Sequence, residues 1–194
     1  MKKIILASAS PSRKTLLEQI GLDFTVEVSD YIEDMGLEVS PHELAELLSY
    51  GKAKAVADRH QGEDCLIIGA DSFAVLEGKL LGKPHTAERA IAMLQDLSGK
   101  CHTFLTGVTI INTATGKTVQ HVDEGKVCFR DLSDDEIKGY VATGEPLDKA
   151  GGYAIRGRGA VLVERVEGEY TGVIGLPLCA LSVMLRELGV EVLN

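Results

Sequence analysis

A turn near the start of the chain carries residues that suit phosphate binding. The apolar run 4–7 predicts a short buried strand, and Pro11 fits the first position of a following helix, where its missing N–H is not needed. Ser10 is the expected N-cap of that helix. Helix N-termini carry free N–H groups and partial positive charge, so the hydroxyls of Ser8 and Ser10 with Arg13 and Lys14 would form a pocket suited to phosphate. The alternative is an ordinary capped helix after an ordinary strand.

Two carboxylates stand out as catalytic or metal-binding candidates. The continuous apolar run 65–70 predicts a central strand buried on both faces, and Asp71 follows at its carboxyl end. Ligands of open α/β sheets bind at that edge, which makes Asp71 a catalytic candidate, and the alternative is a carboxylate that caps the next turn. Glu33 lies in the acidic loop 29–34, where a metal role competes with simple solvation.

Basic residues outside the predicted helix surfaces are few. Besides Arg13, they are Lys83 on a predicted tight turn, and Lys149, Arg156 and Arg158 in the glycine-rich stretch 145–159. The formal net charge of −9 excludes the broad basic surface of a non-specific nucleic-acid binder. In such a protein this distribution favours a local cleft for a polyanion, although the glycine-rich stretch also reads as a flexible surface loop.

These residues together fit one reaction class best. Mg²⁺ is usually held by one or two carboxylates plus substrate phosphates, so Glu33 and Asp71 suffice. One carboxylate would orient or deprotonate a water, while the cation and lysines stabilise the developing charge. The pattern therefore predicts metal-assisted hydrolysis of a phosphoanhydride. No Walker motif or Gly-x-Ser-x-Gly motif is present, and no base is identified for a cysteine nucleophile.

The elements that must position these residues indicate an α/β protein. The 194 residues are 45% hydrophobic and 25% charged, which is typical of a folded α/β chain with a substantial core. Helices are predicted to begin after Ser10, Ser40, Thr86 and Ser133, with a last helix opening at 172–177. The second of them extends to about residue 60, and at most one of Lys52 and Lys54 on it points into a site. Strands are predicted at 24–28, 103–112, 118–130 and 160–166 with a return strand, and a hairpin at 73–81.

The remaining composition bears on the cellular compartment. Cys65, Cys101, Cys128 and Cys179 are scattered, with no CxxC and no histidine at a metal-ligand spacing. They predict reduced, mostly buried thiols in a cytoplasmic protein. The apolar run after Lys3 is too short for a signal peptide, and no run approaches the ~20 apolar residues of a membrane span.

Seven short motifs occur in a distinctive order along the chain. They are Ser-Ala-Ser-Pro-Ser-Arg at 8–13, Lys-Ala at 52–53, Gly-Ala-Asp at 69–71, Gly-Lys-Pro at 82–84, Leu-Ser-Gly-Lys at 97–100 with His102 and 106–108, Glu-Pro-Leu-Asp-Lys-Ala-Gly-Gly-Tyr at 145–153, and Gly-Leu-Pro at 175–177. Together they resemble the Maf family of nucleoside triphosphate pyrophosphatases over nearly the whole chain.

The resemblance implies a single domain over residues 1–194, with a mixed twisted sheet and two lobes around a deep cleft, similar to inosine triphosphate pyrophosphatase. It implies hydrolysis of a nucleoside triphosphate to the monophosphate and pyrophosphate with a divalent cation, Mg²⁺, Mn²⁺ or Co²⁺, in housecleaning of the nucleotide pool. It is compatible with a homodimer, and neither nucleic acid nor a membrane is an expected partner.

The resemblance also implies residue roles. Asp71 matches the proposed general base, and Glu33 the acidic residue that joins it in catalysis and metal binding. The residues that match the phosphate end of the site are Ser8, Ser10, Arg13, Lys52 and Lys83. A rival hypothesis is a nucleotide-binding regulator of septum formation and cell division that turns nothing over, since members of the family are linked to that process.

Three positions expected to read the base depart from both branches of the family. Ser12, Ser72 and Arg156 stand where the branch similar to dTTP/UTP pyrophosphatases has Arg, Thr and Gln. The branch acting on 7-methylguanosine triphosphate has Trp, Gln and Glu there. Arg156 offers only donors where an amide both donates and accepts, so base recognition should change. The retained pattern 148–153 favours pyrimidine nucleotides, including 5-substituted ones.

Overall fold

The computed structural model describes residues 2–193. Its strands are β1 (Lys3–Leu6), β2 (Thr25–Val26), β3 (Cys65–Leu76), β4 (Lys79–Leu81), β5 (Cys101–Asn112), β6 (Thr118–Phe129) and β7 (Val163–Glu167). Its α-helices are α1 (Pro11–Gln19), α2 (Pro41–Ala57), α3 (Ala87–Leu97), α4 (Asp134–Val141), α5 (Tyr170–Ile174) and α6 (Leu178–Glu187). Short 3-10 turns occur at Asp58–His60, Glu145–Asp148, Ala150–Gly152 and Arg158–Leu162.

The strands form one mixed sheet. Their order is β2-β1-β3-β5-β6-β7, and β4 pairs with β3 off this path. β1 runs parallel to β2 and to β3, whereas β3 with β4 and β6 with β7 are antiparallel. The predicted mixed α/β class is therefore confirmed.

The chain forms two compact units, and β3, β5 and β6 contribute residues to both. The first unit comprises Met1–Asp71, Thr106–Asp123 and Ile174–Asn194, and the second Ser72–Leu105 and Glu124–Val173. Each has its own apolar core. In the second unit, Leu94 and Leu97 of α3 pack with Phe129 of β6 and Tyr140 of α4.

Strand alternation divides the core of the first unit into two clusters. Leu66 and Ile68 of β3 pack with residues of α1 and α6. Cys65 and Ile67 pack instead with Val56 and other residues of α2. Because successive side chains of a strand point to opposite faces, odd-numbered residues of β3 face α2 in this unit. Asp71 is the next odd position after Gly69.

The predicted helix starts are confirmed by their caps. Ser10 accepts a hydrogen bond from the Arg13 amide, and Thr86 accepts one from Arg89. Ser40 with Glu43, and Ser133 with Glu136, form complete capping boxes, each opening a helix. These signals are local in sequence, which is why they can be recognised without the fold.

Several predicted elements are wrong in extent or type. β3 continues through Asp71 to Leu76, so this carboxylate lies within a strand and not at its end. β2 is only two residues long, and the return strand predicted after 160–166 is replaced by the helix α5. Lys83 lies in an irregular segment after β4 and not on a tight turn. The glycine-rich stretch contains three 3-10 turns.

The prediction that all four thiols are reduced is also wrong. The Sγ atoms of Cys101 and Cys128 lie 2.06 Å apart as a disulfide between β5 and β6. The Phe129 amide donates a backbone hydrogen bond of 2.9 Å to Lys100 O, which places these two residues opposite each other. The next pair along the two strands is then Cys101 with Cys128. The other two cysteines form no disulfide: Cys65 is a buried thiol, and Cys179 is an exposed thiol. Cys101 and Cys128 are 27 residues apart in the sequence, so their pairing could not be predicted from neighbouring residues.

Among residues 2–193, no helix combines the length and apolar character needed to cross a membrane.

Candidate active site

A lysine ammonium joins two carboxylates in the first unit. Lys52 Nζ lies 2.8 Å from Glu33 Oε1 and is hydrogen-bonded to Asp71 Oδ1. The side chains of Lys52 and Asp71 are 13% and 10% exposed, whereas that of Glu33 is 45% exposed. Glu33, Lys52 and Asp71 were all predicted site residues, and the fold brings them to one place. Lys54 is different, because it is exposed and pairs with Asp58 on the surface of α2.

Close packing of α2 on the sheet puts Lys52 against Asp71. A Cβ atom at Gly69 would lie 2.4 Å from the carbonyl oxygen of Ser49, nearer than real Cβ contacts come. Gly107 on β5 approaches the α2 backbone in the same way. The missing side chains let the helix backbone lie directly on the strands. Since Asp71 follows Gly69 on the same strand face, the helix residue Lys52 meets its carboxylate.

An aromatic ring holds the loop that carries Glu33. A Cβ atom at Gly51 would lie 2.3 Å from Cζ of Tyr31, so the tyrosine ring lies against the α2 backbone just before Lys52. The Tyr31 amide also donates a hydrogen bond of 3.1 Å to Ser29 Oγ. Tyr31 precedes Glu33 by two residues, and its contact therefore places the loop carboxylate beside the lysine.

Arg13 is held inside the turn that leads into α1. Its Nε donates to Gly175 O at 2.8 Å, and its Nη1 donates to Ser8 Oγ at 3.2 Å. Ser8 Oγ also accepts a 3.2 Å hydrogen bond from the Ser10 amide. Burial lowers the pKa of Arg13, and the nearby charges of Asp71 and Glu33 act in the opposite direction. Ser8, Ser10 and Arg13 thus form one hydrogen-bonded group within electrostatic reach of the carboxylates.

Four charged side chains make up this site, and their formal charges cancel. Arg13 and Lys52 are cations, and Glu33 and Asp71 are anions. Two carboxylates that already converge on one cation are a hard-oxygen donor pair of the kind that Mg²⁺ prefers. The arrangement can bind an anionic group through its cations and position a water through a carboxylate.

Comparison with known proteins decides the family. A family model described as Maf-like protein matches residues 3–188. The chain belongs to the Maf-like protein family. The resemblance predicted from the seven motifs is therefore confirmed.

Curated relatives of this Maf-like protein share nearly half of its residues. A protein of Acetivibrio thermocellus named dTTP/UTP pyrophosphatase is 46% identical over 199 residues, covering 100% of this chain and 99% of its own. One of Desulforamulus reducens with the same name is also 46% identical, covering 99% and 100%. A solved Ham1 protein of Coxiella burnetii has a TM-score of 0.49 and 16% identity, covering 96% of this chain and 100% of its own. That structural likeness is too low to support an argument.

The other predicted site residues of this Maf-like protein are Ser12, Ser72, Lys83 and Arg156. Ser12 is half-buried in the first turn of α1. Ser72 follows Asp71 on β3 and therefore lies on the opposite face of the strand. Lys83 is exposed, and so is Arg156, which lies in a turn of the glycine-rich stretch. Ser72, Lys83 and Arg156 belong to the second unit, and their roles stay predictions.

Sequence reasoning missed two contributors to the site. Tyr31 was not predicted to position Glu33, and the Gly175 carbonyl was not predicted to anchor Arg13. The role of Tyr31 had a signal in the sequence, because a glycine inside a helix costs stability and usually marks a position where another group packs closely. Gly51 in α2 is such a glycine, and the group that packs against it is the ring of Tyr31.

Proposed function

We propose that this protein hydrolyses nucleoside triphosphates to the monophosphate and pyrophosphate, with pyrimidine nucleotides preferred. The observation that carries the proposal is the convergence of Glu33 and Asp71 on Lys52, with Arg13 in electrostatic reach. It supports phosphate chemistry in a family whose curated relatives, at about 46% identity, are named dTTP/UTP pyrophosphatase. We further propose that residues 1–194 act as one enzymatic domain. Its proposed location is the cytoplasm, where nucleoside triphosphates are made and used.

Substrate binding is assigned to the cations and the hydroxyls of the first turn. Arg13 presents a guanidinium that matches phosphate geometry, and hydrogen bonds to Gly175 O and Ser8 Oγ fix its position. Ser8 and Ser10 add hydroxyl groups at the start of α1, where the helix dipole favours negative charge. Lys83 is also proposed to bind phosphate, because it matches the Gly-Lys-Pro motif of the family.

Asp71 is proposed as the general base. A water held by its carboxylate attacks phosphorus, and its proton passes to a carboxylate oxygen of Asp71. The bond between the α- and β-phosphates breaks, and its electron pair leaves on pyrophosphate. Lys52 holds the Asp71 carboxylate in a fixed orientation through their hydrogen bond. It also places positive charge where the phosphate oxygens gain negative charge.

Glu33 and Asp71 would hold a divalent cation such as Mg²⁺, Mn²⁺ or Co²⁺. The fit rests on their hard oxygen donors: Lys52 contacts Oε1 of Glu33 and Oδ1 of Asp71, and the second oxygen of each carboxylate would serve the cation. When bound, such a cation supplies positive charge that offsets the charge of the phosphate oxygens.

The central experiment measures pyrophosphate release from a panel of nucleoside triphosphates, with and without divalent metal. We expect metal-dependent release that is fastest with dTTP, UTP and 5-substituted pyrimidines, and a loss of at least ~100-fold in Asp71→Asn. The matched control is Asp96→Asn, an exposed aspartate on α3, which should keep full activity. If the wild-type protein binds nucleotides but releases no pyrophosphate, the enzymatic proposal is wrong, and the hypothesis of a cell-division regulator takes its place.

A second experiment compares two lysines two residues apart on α2. Lys52→Met leaves the buried Asp71 carboxylate without its hydrogen-bonded partner, which should lower the free energy of unfolding by about 3–5 kcal/mol and activity by at least ~100-fold. Lys54→Met removes only an exposed pair with Asp58, and we expect a change below about 1 kcal/mol and normal activity. Urea unfolding and pyrophosphate release check both, and equal effects would contradict the assignment of Lys52.

A further inference from the structure

A second group of metal-ligating side chains lies at the other end of β3 from Asp71. It consists of His60, Glu63 and Cys65, whose donor atoms lie within 4.8 Å of one another. Cys65 and Asp71 are six residues apart on one strand, which corresponds to about 20 Å. The group is thus separate from the candidate active site, and its chemistry differs, with nitrogen and sulfur donors beside one carboxylate.

We propose that His60, Glu63 and Cys65 form a zinc site. Glu63 Oε2 lies 3.2 Å from His60 Nδ1 and 3.6 Å from Cys65 Sγ. Tetrahedral zinc with ligand distances of 2.0–2.3 Å requires donor separations of roughly 3.3–3.7 Å. The two separations that involve Glu63 are close to these values, and the His60 and Cys65 donors lie within 4.8 Å of each other. Imidazole and thiolate donors favour Zn²⁺ over Mg²⁺, whereas the carboxylate pair offers the oxygen donors that suit Mg²⁺.

A carboxylate behind the histidine supports the assignment. His60 Nε2 lies 2.7 Å from Glu27 Oε2, the carboxylate-histidine arrangement that commonly orients a zinc ligand. The other ring nitrogen, Nδ1, is shielded from solvent and has no hydrogen-bond partner of good geometry, although Glu63 lies near it. A buried ring nitrogen that forms no hydrogen bond of good geometry, within 4.8 Å of a carboxylate oxygen and a thiol sulfur, is a group that a bound cation would satisfy.

Zinc competes with protons for its ligand atoms. Glu27 and Glu63 raise the pKa of His60, and zinc binds the ring only when the ligating nitrogen is unprotonated. Zinc likewise displaces the thiol proton of Cys65. Lys3 contacts Glu63 Oε2 at 3.4 Å, but its side chain is 48% exposed and can turn into solvent. Glu63 is 52% exposed, which leaves the fourth position open to water.

The test uses ZnCl₂ and CoCl₂ as probes on the full chain. Equilibrium dialysis should find one Zn²⁺ per chain, with affinity at least ~10-fold lower in His60→Gln, Cys65→Ser and Glu63→Gln. Cobalt should give a thiolate charge-transfer band in the near ultraviolet that Cys65→Ser abolishes. Cys179→Ser, at an exposed thiol, and Asp71→Asn, at the other site, should leave both signals unchanged.

Two variants distinguish a loss of zinc ligands from unfolding of the protein. Glu63→Gln alters an exposed side chain, so a loss of binding there does not reflect unfolding. Glu27→Gln keeps the three ligands and should weaken zinc binding by roughly 10–100-fold through the histidine orientation alone. Zinc that binds equally well without Cys65 and His60, or cobalt that shows no thiolate band in wild type, would overturn the proposal.

Discussion

The contact between Tyr31 and Gly51 gives the sharpest test of how the site is positioned. In Gly51→Ala the new Cβ atom would lie 2.3 Å from Tyr31 Cζ. Carbon atoms pack at about 3.5–4.0 Å, so the ring must retreat by at least about 1.2 Å. Tyr31 is two residues from Glu33, and the same displacement would break the 2.8 Å contact between Glu33 and Lys52.

The expected result separates activity from stability. A misplacement of about 1 Å at a reacting group can cost ~100-fold in rate, so we expect Gly51→Ala to lower kcat/KM by roughly 10–100-fold. Alanine favours a helix over glycine by up to about 1 kcal/mol, and moving the exposed loop 32–40 together with the ring disturbs few packed contacts. The free energy of unfolding should therefore stay level or rise. The metal concentration for half-maximal activity should increase, because Glu33 is a proposed ligand.

Gly139 provides a matched control, because it lies inside α4 and a Cβ atom there would meet nothing within 4 Å beyond its chain neighbours and the backbone of its own helix. Gly139→Ala gains the same helix propensity and should leave kcat/KM unchanged. Tyr31→Ala should reproduce the loss of activity, and combining it with Gly51→Ala should add little, because both act through one contact. Unchanged activity and metal dependence in Gly51→Ala, or fully additive losses, would refute the positioning role of Tyr31.

Three other predictions concern the second unit. Arg156→Gln restores an amide and should raise the kcat/KM ratio of dTTP over dGTP by ~10-fold or more, whereas Arg158→Gln in the same stretch should not; pyrophosphate release measures both. Burial lowers the pKa of His102 to about 4, against 6.5 in the unfolded chain, so the stability it contributes is complete above pH 6.5 and is lost as pH falls towards 4. Urea unfolding should show wild type losing about 3 kcal/mol more than His102→Gln over that range, and parallel curves would refute this. The Cys101–Cys128 disulfide closes a loop with a separation of 27 residues, so reducing it should lower the free energy of unfolding by about 3–4 kcal/mol. Thermal unfolding measures this, and the same reductant should have no effect on Cys128→Ser.

The parts of this fold that could be predicted from the sequence depend on neighbouring residues. Capping boxes such as Ser40 with Glu43 involve atoms within one turn, so their meaning does not depend on the rest of the chain. The end of β3 could not be predicted in this way. Asp71 is a poor strand former, but pairing with other strands decides the extent of a strand and carries β3 on to Leu76.

Contacts that depend on the fold, and not on neighbouring residues alone, explain what was missed. The disulfide joins Cys101 to Cys128, and its pairing depends on the register of two long strands. The spacing of His60 and Cys65 matches no standard metal-ligand pattern. His60 lies in a 3-10 turn, and Cys65 begins a strand. Their donors meet only through the path of the chain between these elements. A spacing rule built for ligands on one helix or one loop does not apply there.

The way each charge is held suggests which part of the site adapts to substrate. Lys52 and Asp71 sit on a helix and a strand whose backbones touch at Gly69, so neither can move without separating packed elements. Glu33 comes from a loop, is 45% exposed, and is placed by the ring of Tyr31. Since loops open at lower free-energy cost than packed elements, Glu33 is the charge that can shift when a polyanion arrives. Lys52 and Asp71 then provide the fixed geometry that general base catalysis requires.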